Sequence, residues 1–281
     1  MEPTSLAKLA ADSDPTSVEA ARVGGRLTEN VFGPVTKEMG QILAEKLRSR
    51  HARKVAERAA MKDAQHRERS GPVSERVGLA VLDAAQGADN EFLAEYLSGV
   101  LSSSRGDGGS DDSGVTWSAL IARLSSEQLR AHFLLYAAFR RLSTGADDIW
   151  SVVNETFVIP LSDLDQALPR GFSLAFVEAL YGLQAEGLLG RNLSHGDAEH
   201  LKDGYLRGKD RSALQSGIVL AQATPRGIWL FLRAHGYSGT WITTIADPSV
   251  RLAMTSDEPI FTVEPWASFV KDLPPEATTA A

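Results

Sequence analysis

The sequence predicts a mainly α fold: a helical bundle built on one long helix, followed by a winged-helix-like α+β unit. Three observations predict it. Apolar residues recur at helical spacing through most of the first 145 residues, prolines and glycines fall between those stretches, and after Gly145 the texture changes to shorter elements with β-formers. At 281 residues and 43% apolar composition the chain is long enough to bury a real core. The expected organisation is a flexible tail over 1–26, a helical domain over 27–145, a winged-helix-like domain over 146–240, and short strands with a frayed end over 241–281.

The tail is small, polar and proline-punctuated, with at most a short helix around Val18. From Gly33-Pro34 one helix is expected to run toward Pro72, since a first-turn proline is tolerated and no other proline intervenes. Its buried side begins with Val35, Met39, Ile42, Leu43 and Leu47. It then thins to Ala52, Val55, Ala56, Ala59 and Ala60, a seam that lets a neighbouring helix come close. Two helices broken at Gly87 follow, one striped by Val73, Val77, Ala80, Val81 and Ala84, the other by Phe92, Leu93, Tyr96, Leu97, Val100 and Leu101, with Asp89 as the expected N-cap of the second. RGDGGSDDSG, 105–114, reads as a loop. Helices resume in VTWSALIARL and in SSEQLRAHFLLYAAFRRL, where Ser125 or Ser126 can cap.

Beyond Gly145, DIWSVVNETFVIPLSDLDQAL leads into the helix SLAFVEALYGLQAEG. Then come LLGRNL, a polar excursion over 194–216, the run GIVLAQA, and a helix whose start is marked by Thr224 as N-cap and Pro225 in the first turn. Helix, strand, long hairpin loop, strand, helix is the outline of a winged helix.

Composition removes several function classes. With no cysteine there are no disulfides, cysteine-based zinc sites or thiol nucleophiles, and a reducing compartment, the cytoplasm, is expected. The N-terminal stretch lacks the basic start and apolar block of an export signal, and no apolar run approaches the roughly 18 residues of a membrane span. No phosphate loop, nucleophile elbow, zincin helix or EF-hand loop occurs, so no cofactor and no enzymatic activity are expected. His195, Asp197, Glu199 and His200 are ligand-type residues, but they lie in a polar loop without the rigid support that a metal site needs, and no metal site is assigned to them.

Charge is distributed unevenly. Between Lys46 and Arg69 nine Lys/Arg face Glu57, Asp63 and Glu68, a local charge of +6 in a chain of −7, which leaves −13 for the rest. Lys46, Arg48, Arg50, Arg53, Lys54, Arg58 and Lys62 are therefore the candidate binding surface for a polyanion or a partner. The competing reading is a solvated helix face with some ion pairing. Acidic residues interrupt the run, and no aromatic side chain is interleaved for base stacking. Its apolar side is alanine rather than the Leu, Phe or Trp of a lipid-seeking helix. In the winged-helix-like unit the helix 173–187 carries Gln184 and two glutamates but no Lys or Arg, which is poor equipment for reading DNA.

The stretches GPVTKEMGQILAEKLRSRHARKVAERA, SGPVSERVGLAVLDAAQGADNEFLAEYLSGVLSSS and VTWSALIARLSSEQLRAHFLLYAAF together resemble the Abi-alpha (abortive infection alpha) family of bacterial phage-defence proteins. Gly33, Pro34, Gly40, Pro72, Asp89, Glu91, Leu97, Leu101, Leu124 and Ser125 fall where the family's helix punctuation asks, and LQAEGLL and LAQATPRGIWLFLRAHG look like its C-terminal half. The resemblance implies antiviral defence by abortive infection without an established enzymatic mechanism. The expectation is a non-enzymatic binding protein whose basic helix meets a phage component, nucleic acid or an anionic lipid surface, with apolar helices that also support a homo-oligomer. The alternative is a DNA-binding winged-helix regulator.

Overall fold

The structure, a computed structural model, describes residues 32, 37–65, 71–87, 90–106, 109–201, 217–238, 241–252 and 263–265. The tail, the helix start at Pro34, Asp89, most of the excursion before Ser216 and the C-terminal end lie outside the described residues. The fold is mainly helical with a small antiparallel sheet. The chain groups into two compact units. Among the described residues, one takes 32–124, 232–238 and 252, and the other takes 125–231, 241–251 and 263–265. The 126–143 helix, assigned from the sequence to the helical domain, groups with the second unit.

In the first unit the basic stretch forms two helices, α1 (Lys37–Lys46) and α2 (Arg50–Gln65), and not one. The amides of Leu47, Arg48 and Ser49 reach Leu43 O, Glu45 O and Lys46 O, so the chain tightens through one turn before Arg50 starts anew. Leu43, in the last turn of α1, and Leu47, in this turn, are both buried. Ala52, Val55, Ala56 and Ala59 are fully buried, as a close alanine contact requires. The helix that approaches them is α4 (Glu91–Ser103), reached after α3 (Glu75–Ala85).

Asn90 caps α4, its side chain accepting from Phe92 N at 2.7 Å; this corrects the cap expected at Asp89. Every residue from Ala94 to Ser103 is buried, because α2, α3, α5 (Ser113–Arg123) and the 232–238 segment surround α4. Gly99 lets backbone meet backbone: a Cβ there would lie 2.0 Å from Ala234 O.

The second unit is organised around α6 (Ser126–Ser143), which opens with a capping box between Ser125 and Gln128 and is buried from Ala131 to Arg140. Three of its buried polar side chains, one per turn, hold backbone carbonyls. His132 Nε2 donates to Gly227 O (3.1 Å), Tyr136 Oη donates to Leu188 O (2.6 Å) and accepts from Thr224 N (3.0 Å), and Arg140 donates to Ile245 O (2.9 Å) and Val250 O (2.7 Å). Burial drives the His132 pKa down to about 3, against the pull of its Gly227 hydrogen bond, and lifts that of Tyr136 to about 12.

After α7 (Ile149–Asn154) come β1 (Thr156–Pro160), α8 (Leu161–Ala167), α9 (Leu174–Ala185), β2 (Ser194–Gly196), α10 (Ala198–Leu201), β3 (Ile218–Gln222), α11 (Pro225–Ala234), a 3-10 turn at Ile242–Ala246 and β4 (Glu264–Pro265). The sheet order is β2-β3-β1-β4, antiparallel throughout, with Val158 opposite Leu220 and His195 opposite Val219. The first hairpin strand falls inside the excursion, at 194–196; 188–193, expected to be extended, supplies Leu188, Leu189 and Leu193 to the core instead. Thr224 caps α11 as expected, accepting from Gly227 N at 3.1 Å.

Candidate functional site

The seven basic residues separate by what each side chain can reach. Lys54, Arg58 and Lys62 stand four apart, so they form one stripe along α2 beside the alanine seam. On α4, Glu91 and Glu95 are likewise four apart. Because the alanines bring the two helices close, the stripes meet as a ladder: Lys54 and Arg58 both pair with Glu91, Arg58 Nη1 lies 3.1 Å from Glu95 Oε1, and Lys62 Nζ lies 3.0 Å from Glu95 Oε2. Lys62 also donates to Glu95 O (2.9 Å) and Ala234 O (2.7 Å).

Burial deepens along the ladder. Lys54 is part-exposed, Arg58 is 8% exposed, Lys62 is 3% exposed and Glu95 is fully buried. Desolvation lowers the Lys62 pKa to about 8 against the opposing pull of Glu95. Partial burial and the nearby Arg58 and Arg50 charges lower that of Lys54. Arg58 and Lys62, read from the sequence as part of the binding face, are interior: their protons are directed at α4 and at the end of α11, and an external ligand would have to break the core to reach them.

The other four cations lie nearer the surface. Lys46 pairs with Asp83 of α3. Arg48 pairs with Glu45 (2.8 Å) and Arg53 with Glu57 (3.8 Å), both acids coming from the same stretch of chain and both pairs exposed. Arg50 is exposed and forms no ion pair with a described residue. A second, part-buried link, Asp63 to Arg105 (2.6 Å) and to Ser102 Oγ (2.6 Å), joins α2 to the end of α4. The residues that sequence reasoning missed are the acids Asp83, Glu91 and Glu95. Their signal was present in the matched four-residue spacing of the two stripes, but only the packing of α2 on α4 makes that spacing meaningful.

Elsewhere, His195 and His200 stack with ring centroids 6.1 Å apart, and Asp197 Oδ1 accepts from His200 N (2.9 Å). Desolvation first, and His200 second, lower the His195 pKa. Among the described residues no group of three or more His, Asp or Glu is placed to hold a metal ion, and no helix is long and apolar enough to cross a membrane. No protein-family model, no curated protein and no solved structure matches the chain.

Proposed function

We propose that this chain acts by contact and not by bond-making, through the outward cations Arg48, Arg50 and Arg53, with Lys54 at their edge, in the phage-defence role that the Abi-alpha resemblance implies. The observation that carries this reading is the partition of the basic run. Arg58 and Lys62 are spent inside the protein, whereas Arg48 and Arg53 hold only exposed acids of their own segment and Arg50 has no described acid partner. Exposed ion pairs between near neighbours in the chain contribute about 0.2–1 kcal/mol, so a phosphate or carboxylate on a partner displaces Glu45 and Glu57 at little cost. Guanidinium forks suit such bidentate groups. The test is the triple variant Arg48→Glu, Arg50→Glu, Arg53→Glu in cells challenged with phage. Protection should be lost while the purified protein keeps its melting temperature; full protection by the folded variant would refute the reading.

The element order favours a second reading, a winged-helix regulator. What supports it is the order α7, β1, α8, α9, β2, α10, β3, α11, with antiparallel strands in the order β2-β3-β1, which is compatible with a winged helix. Against DNA contact, α9 exposes Leu174, Glu178 and Tyr181 and carries no Lys or Arg. This reading requires the full chain to bind duplex DNA with an affinity that falls steeply with salt and that survives the triple variant.

A further inference from the structure

The second unit holds a cleft of about 430 Å³ that the reading above does not use. It lies between the first turns of α6, which supply Glu127 and Arg130, and the 168–176 segment, which supplies Leu168, Arg170 and Phe176. The volume falls within the range of roughly 300–1,000 Å³ usual for small-molecule sites. Its walls combine two guanidinium groups with leucine and phenylalanine surface, and its single carboxylate, Glu127, stands a loose 3.7 Å from Arg130 Nε.

The rim is fixed before any ligand arrives. Gly171, at φ +65°, makes the turn with its amide on Leu168 O (3.1 Å). Phe172 N is held by Asp165, and Phe176 N by the Ser173 cap. Arg130 is on a helix whose next turns are buried, while Arg170 sits at the exposed lip. One guanidinium is thus anchored on α6 and the other stands at the lip, while the Asp165 carboxylate at the rim is engaged with Phe172 N.

We propose that this cleft binds a small organic anion, with the carboxylate or phosphate end on Arg130 and Arg170 and the apolar body against Leu168 and Phe176. Arginine presents its donors as a planar fork that either acid group can accept in two parallel hydrogen bonds. Glu127 competes for the Arg130 fork, so it tempers the affinity and excludes anions with no apolar part to add.

Titration calorimetry on the full chain tests this with four probes: benzoate, phenyl phosphate, the neutral isostere benzamide, and inorganic phosphate alone. Benzoate or phenyl phosphate should bind, with the preferred one naming the acid group, and benzamide and inorganic phosphate should bind at least roughly tenfold more weakly, as expected when a charge-assisted hydrogen bond or the apolar contact is missing. The double variant Arg130→Gln, Arg170→Gln should lose the preferred probe. Glu127→Gln leaves both arginines in place and should bind it more tightly, which keeps the test decisive if the double variant does not fold. No binding of either aromatic anion, equal binding of benzamide or inorganic phosphate, or weaker binding by Glu127→Gln overturns the proposal.

Discussion

The fully buried Glu95 carboxylate takes up two cations, Arg58 and Lys62, and each member of the set restrains the others. Removing one partner of a buried ion pair leaves uncompensated charge in the core, so Glu95→Gln should cost about 3 kcal/mol in urea unfolding, at the low end because Arg58 keeps Glu91 and Lys62 keeps two carbonyls. A loss below about 1 kcal/mol would mean the ladder contributes no net restraint. Lys62 also links stability to pH. Its folded pKa of about 8 lies below the ordinary 10.5, so between those values the unfolded chain holds the proton more strongly and stability rises with pH. Below about pH 8 the full cost of burying the charge is present. A Lys62→Met variant should lack this rise when urea midpoints are compared from pH 7.5 to 10.

At the scale of elements, the alanine seam and Gly99 do the same job on two sides of α4: each removes side-chain bulk so that backbones approach. A methyl at Gly99 would stand 2.0 Å from Ala234 O and 2.5 Å from Ala234 Cα, where only backbone could give way. Gly99→Ala should therefore destabilise by at least about 1–3 kcal/mol despite its better helix propensity, read as a lower melting temperature. The helical elements of the first unit were largely legible in the sequence, because their apolar spacing and caps are local signals. The 47–49 turn was not. No proline or glycine marks it, and burying both Leu43 and Leu47 against the rest of the unit decides where the chain turns. The 194–196 strand was likewise hidden: three polar and small residues become a strand only because β3 offers an edge to pair with.

For the molecule as a whole, the segregation of +6 from −13 along the chain is answered in part by its fold, which brings Asp83, Glu91 and Glu95 to the basic helices. His132 links the fold to acid: buried, it stays neutral down to about pH 3, whereas the unfolded chain protonates it near 6.5. Stability should fall as pH drops from about 6.5 toward 3, and His132→Gln should flatten that limb of a urea midpoint series. The amino-acid sequence by itself determined the helical class, the absence of thiol chemistry, most helix starts and the existence of one cationic run, since each depends on composition or on spacing within a few residues. Only the tertiary structure decided which cations face water. That choice rests on acids some 30 to 40 positions away in the chain, and burying charge is tolerable only where packing brings them within hydrogen-bond reach.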